Sequence, residues 1–237
     1  MIPSWSHSRL VDFEKCKNLA FLKYDKRIPE PERPLRPGQT EHANDRGSRV
    51  HDMLELFVRG SEDYPNEAKH FRHELDSMKK LFTFGKVSLE GEWGFNEAWE
   101  PTEWKTAWLR MKLDALVFLS PEEAVAIDYK TGKKFGNEIK HGEQLMLYQL
   151  ATFLRYPDLE VVHTELWYLD QDDLTQRTFT RAQGLRFQRN WDQRGTALTT
   201  CQDFPANANR FSCQWCPYGA PENGFSNGTG HCLAGRK

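Results

Sequence analysis

The chain has 237 residues, enough for one domain with appendages, and carries 32 Lys and Arg against 34 Asp and Glu, a formal net charge of -2. That balance excludes attraction to a polyanion through a global basic excess, so any such site must be a local patch. The longest apolar run, Ala115 to Leu119, falls far short of the roughly 18 residues a membrane span needs, and the polar opening Met1-Ile2-Pro3-Ser4 lacks a signal-peptide core. These features predict a soluble, cytoplasmic chain with no membrane partner. Eight Trp, seven Tyr and fifteen Phe supply the area a core needs and argue against disorder.

In chain order, Leu10, Phe13, Cys16, Ala20 and Tyr24 recur at helical steps behind Ser6, a residue type suited to capping, and predict one amphipathic helix. Pro29, Pro31, Pro34 and Pro37 end it and make Ile28 to Ala43 an extended connector. A second helix is expected over Asp45 to Arg59 with Val50, Leu54 and Phe57 inward, and a third over Pro65 to Phe84. Alternation then predicts a hairpin of Glu90 to Trp99 and Trp104 to Leu119, with Leu109, Met111, Leu113, Ala115 and Val117 on one face and Arg110, Lys112 and Asp114 on the other. After a turn at Pro121 comes a short apolar strand, Ala124 to Lys130. A helix over Glu138 to Arg155, strands over Val161 to Asp170 and Leu174 to Thr180, and a helix over Ala182 to Leu198 follow. The expected class is therefore α/β, a central mixed sheet flanked by helices in αβββαβ order. The expected organisation is one domain over 1–237, with a core over about 45–200, an N-terminal helix and connector over 1–44, and a cysteine-containing tail over 201–237 packing on that helix.

The chemistry concentrates in Ile127-Asp128-Tyr129-Lys130-Thr131-Gly132. Side chains two apart on a strand share a face, so Asp128 and Lys130 point the same way, and Asp114 lies on the corresponding face of the preceding strand. If those strands pair, the two carboxylates converge near a sheet edge, and like charges so close call for a hard cation such as Mg2+ or Mn2+ between them. A charged residue that merely carries a strand end into solvent is the alternative for Asp128 alone.

In this combination the chain resembles the PD-(D/E)XK nuclease superfamily, with its restriction-endonuclease-like fold, and within it the RecB-like exonuclease branch that also holds CRISPR-associated nucleases. The stretch Arg46-Gly47-Ser48-Arg49-Val50-His51 looks like that branch's helix-borne histidine motif, and Gln144 with Tyr148, four apart on one helix, looks like its Gln-x-x-x-Tyr motif. The resemblance implies that His51, Asp114, Asp128 and the Tyr129 carbonyl ligate the metal. It implies too that Lys130 serves the attacking water, and that Gln144 and Tyr148 line the groove, bonding phosphate or the lysine, with the tyrosine able to stack a base. Met111 stands where members often carry glycine. Glu92 is a further candidate acid, in competition with Glu97 and Glu100. The activity implied is metal-dependent DNA exonucleolysis in recombination, repair or phage DNA metabolism, with a recombination or helicase partner, and in the host cytoplasm if the chain is phage-encoded. A structure-selective endonuclease or a non-catalytic nucleic-acid-binding module on the same fold are the alternatives.

Five cysteines in a reducing compartment suggest metal binding or simple burial before disulfides. The order Cys16, Cys213, Cys216, Cys232 is similar to the one by which a subset of RecB-like nucleases holds a [4Fe-4S] cluster. The gap from Cys216 to Cys232 is longer than usual there, so His231 or Cys201 could substitute, and Zn2+ or no metal are the other readings. Arg177, Arg181, Arg186, Arg189 and Arg194 against a single acid, Asp192, offer either phosphate contacts or a solvated face.

Overall fold

The computed structural model describes residues 1–32, 34–35, 37–132, 134–213, 215–219, 228–232 and 234. Of the tail expected over 201–237, residues 214, 220–227, 233 and 235–237 lie outside the described residues, as do Arg33 and Arg36 of the connector. The chain divides into two compact units, one of residues 37–189 and one of residues 1–36 with 190–237.

The larger unit is built on a mixed six-stranded sheet. Its elements are α3 (Ala43–Arg59), a 3-10 turn (Asn66–Phe71), α4 (Arg72–Thr83), β1 (Val87–Phe95), β2 (Pro101–Thr102), β3 (Leu109–Ser120), β4 (Glu123–Lys130), α5 (Glu138–Arg155), β5 (Val161–Tyr168), β6 (Asp173–Thr180) and α6 (Arg181–Leu185). The strand order is β2-β1-β3-β4-β5-β6. The β4–β5 pair alone is parallel, because α5 carries the chain back across the sheet before β5 begins. Val50, Leu54 and Phe57 of α3 and Leu75 and Met78 of α4 pack on Leu89, Ala115, Val117, Ile127 and Tyr129 of the sheet. Leu145 of α5 packs against Leu166 and Tyr168 of β5. Val50, Leu54, Phe57, Ala115, Val117 and Ile127 stand at the helical and alternating positions read from the sequence, so burial of one stripe against one sheet face accounts for that layer.

The smaller unit contains α1 (His7–Lys15), α2 (Lys17–Ala20), a π-helical turn (Phe21–Asp25), most of α7 (Gln188–Thr199) and α8 (Arg210–Cys213). Ser6 caps α1, its hydroxyl accepting from the Arg9 amide. The single helix expected from Ser6 to Tyr24 is broken at Cys16, whose extended backbone (φ -162°, ψ 114°) interrupts the ladder for one residue. Apolar periodicity continues across such a break and does not register it. Similarly, the helix expected over Pro65 to Phe84 starts as the 3-10 turn, and that over Ala182 to Leu198 is divided between α6 and α7. The second strand of the hairpin starts at Leu109 instead of Trp104, after the short β2.

Candidate active site

The predicted acids lie on the two middle strands of the sheet, not near an edge. Ala115 faces Ile127 across β3 and β4, so Asp114 and Asp128 are the next residues along that pairing. Both are buried. Asp114 Oδ2 accepts from the Tyr129 amide at 2.6 Å, and its Oδ1 lies 3.2 Å from His51 Nδ1 on α3. Lys130 Nζ approaches Asp128 Oδ2 to 2.5 Å and donates to Gln144 Oε1 at 2.9 Å. Gln144 Nε2 and the Tyr148 hydroxyl both donate to Asp128 Oδ1, at 3.1 and 3.0 Å. Tyr148 is therefore a buried donor to a carboxylate, and the base-stacking role expected for it does not fit. Tyr129 is buried beside these groups, its backbone already engaged with Asp114.

Glu90, which the sequence reading passed over, completes the acidic group. Leu89 faces Ala115 and Gly91 faces Leu113, so Glu90 lies opposite Asp114. Glu90, Asp114 and His51 offer ligand atoms all within 4.8 Å of one another. Glu92, one step further along the same face, instead pairs with Lys112 at 3.0 Å, and Glu100 accepts from Asn96. The complementary Glu92–Lys112 pair was readable as a register marker, and counting two residues back from it leads to Glu90 and Asp114.

The electrostatics are those of crowded acids out of water. Burial and the neighbouring Asp114 carboxylate push the Glu90 pKa up to about 7. Burial, opposed by the Lys130 charge and reinforced by Asp114, raises that of Asp128. Burial alone would favour neutral His51, but its hydrogen bond to Asp114 and the surrounding acids outweigh it and hold its pKa at about 9. A cluster that must recruit protons to relieve its own charge suits a divalent cation, and an imidazole with carboxylate oxygens is a donor set for a hard or borderline ion. The residues thus fit a divalent metal ion.

His51, Glu90, Asp114, Tyr129 and Lys130 open into one cleft of about 1670 Å³, lined also by Lys112, Lys140 and Phe135, whereas Asp128 and the Gln144 and Tyr148 expected along the groove do not line it. Arg46 of α3 donates to the Thr131 carbonyl at 2.9 Å and forms a two-pronged pair with Asp170, tying down the segment that follows Lys130.

A family model matches residues 4–220, that of the PD-(D/E)XK nuclease superfamily. The chain belongs to this superfamily. PD-(D/E)XK nucleases use divalent metal ions, in keeping with the His51, Glu90 and Asp114 group. Among solved structures, the chain is similar to one described as "Crystal structure of SSO0001", at 12% identity and a TM-score of 0.47, covering 92% of this chain and 84% of that one. No curated protein matches the chain. Among the described residues no helix is long and apolar enough to cross a membrane.

In the smaller unit Cys16, Cys213, Cys216 and Cys232 line one cavity with Leu19 and Leu22. Cys16 Sγ accepts from the Asn207 amide and Cys232 Sγ from the Asn18 side chain. Burial, with the other three thiols nearby, pushes the Cys216 thiol above its ordinary value. Cys201 instead bonds the Asp203 carbonyl and His231 the Thr229 hydroxyl, and neither lines the cavity. Four thiols thus line one cavity, and neither substitute considered for a fourth ligand is among its lining residues. The basic stretch is partly structural, since Arg181 donates to the Phe153, Tyr156 and Leu159 carbonyls and Arg194 pairs with Glu14.

Proposed function

We propose that the protein is a metal-dependent DNA exonuclease of the RecB-like branch. The observation that carries this reading is the convergence of Gln144 and Tyr148 on the same carboxylate that pairs with Lys130. It gives the Gln-x-x-x-Tyr pair a physical task at the acids, which an ordinary amphipathic helix would not need.

His51, Glu90, Asp114 and Asp128 would hold the ion, Mg2+ or Mn2+, and the Tyr129 carbonyl is the remaining candidate ligand. When bound, such an ion lowers the pKa of a water and stabilises charge on a phosphoryl oxygen. Lys130, fixed between Asp128 and Gln144, orients the attacking water and as a cation favours its hydroxide form. Lys112 and Lys140, on the cleft wall, offset the phosphate charge of the strand. The water oxygen forms a bond to phosphorus, one ester P–O bond breaks, and the departing oxygen takes a proton. Gln144 and Tyr148 are positioning residues that hold Asp128.

Digestion of end-labelled linear and covalently closed DNA with Mg2+ or Mn2+ tests the reading. Loss of label from the linear form alone is expected. Nicking of closed circles would favour the endonuclease, and binding without cleavage the non-catalytic module. The four cysteines are proposed to hold a [4Fe-4S] cluster, which makes anaerobically purified protein brown with about four irons per chain. Cys213→Ser should bleach it, whereas colourless protein with stoichiometric zinc would assign the site to zinc instead.

A further inference from the structure

Of the described residues lining the cleft, only Phe135 is at once large, apolar and exposed, with 81% of its surface open to solvent. A ring left in water at the protein surface is ordinary when it sits on a loose loop. This one does not. Lys134 before it is anchored twice, its amide donating to Gln171 Oε1 at 3.3 Å and its ammonium to Asp173 Oδ2 at 2.8 Å. Gly136 after it adopts φ +85°, a conformation that suits glycine, and its amide donates to Glu138 Oε2. The Asn137 amide closes the turn on the Lys134 carbonyl, and Gln171 also holds the Gly132 carbonyl. The turn is thus fixed on both sides of a ring that has no aromatic or cationic partner among the described residues.

We propose that Phe135 is a stacking platform for one nucleobase of the DNA strand whose phosphate lies at the acidic centre, so that the enzyme engages an unpaired base. The inference rests on the nuclease reading above and adds a subsite to it. The cleft supplies the rest of a single-strand path: Lys112 and Lys140 among its lining residues for phosphates, and in the same cleft one flat apolar face that suits any of the four bases. Holding the ring beforehand reduces the ordering required when the base arrives. A base still paired in a duplex has both faces covered by its neighbours, so this contact favours single-stranded or frayed ends.

The test measures binding of a fluorescein-labelled single-stranded DNA oligonucleotide in Ca2+, with the DNA checked to be intact, by wild type, Phe135→Ala and Phe135→Trp. Loss of one base–aromatic stack should weaken the alanine variant by about 5- to 150-fold, and tryptophan should restore affinity. An abasic site is then moved along the oligonucleotide. One position should weaken wild type but not Phe135→Ala, since both changes delete the same contact. If the alanine variant binds as wild type does, or the losses add at every position, Phe135 is not a stacking residue although the nuclease reading stands. If wild type neither binds nor cleaves DNA, both readings fall together.

Discussion

Glu90 and Glu92 share one face of β1, yet one meets Asp114 and the other meets Lys112. Glu90→Gln should therefore weaken metal binding and cleavage while raising the melting temperature of the metal-free protein, because it removes one of several crowded acids. Glu92→Gln removes no proposed ligand and frees Lys112 for phosphate, so it should shift stability by less than about 1 kcal/mol without weakening metal binding or cleavage. Calorimetric melts and metal titrations of both variants check the contrast. Lys130→Ala is expected to lose about 10²- to 10⁴-fold in rate yet bind Mn2+ much as wild type does, since no proposed ligand is removed. His141, bonded to the Tyr168 hydroxyl, has its pKa lowered to about 4 by burial and the Lys130 and Lys140 charges. An unfolded chain takes up that proton near its ordinary 6.5. The neutral histidine therefore contributes stability above that value, which is lost as the pH falls towards 4. An NMR titration of the ring should show no protonation at pH 6. Asp114, Asp128 and Lys130 were legible as a group because strand alternation fixes their faces. Glu90 does not follow from alternation, which does not count register across a hairpin and is interrupted there by a backbone at φ +47°; only the complementary Glu92–Lys112 pair points to it.

At the scale of elements, α5 links the catalytic proposal to the scaffold. Gln144 and Tyr148 lie in its middle, and the carbonyls of Phe153 and Tyr156 at its end accept from the Arg181 guanidinium, which also reaches Leu159. Helix ends leave carbonyls without helical partners, and a planar cation with several donors satisfies them. Arg181→Met keeps the stem and removes the donors, so it should cost about 2–4 kcal/mol in urea unfolding. It should lower cleavage mainly by loosening α5 from the site. The sequence showed α5 clearly, as a long amphipathic stripe, but grouped Arg181 with four other arginines as a basic patch. Linear charge density does not say which arginines face carbonyls. The breaks at Cys16 and between α6 and α7 were equally hidden, since the apolar period runs on through them.

Over the whole molecule, the order of helices and strands and the α/β class followed from periodicity and turn residues. The sheet order did not, because it depends on which strands α5 bridges and on β2, too short to alternate. The grouping of the two chain ends was legible only through the cysteines, and the sequence reading kept them in one domain with the core, where the structure has two compact units divided at residues 36/37 and 189/190. That arrangement has a consequence for biosynthesis. The larger unit, residues 37–189, emerges from the ribosome as one continuous stretch and can fold as it appears. Residues 1–36 must wait for 190–237, and the four cysteines come together only once Cys232 has left the exit tunnel. The cluster proposed at the cysteines would thus be acquired last, and chains that terminate early would carry the acidic centre without it. Ribosome-bound chains stalled with residue 189 clear of the exit tunnel and most of 190–237 still inside it should resist protease over 37–189 while leaving 1–36 open to it. A chain whose first 36 residues were already protected at that stage would place the assembly of the smaller unit earlier than its two-part construction requires.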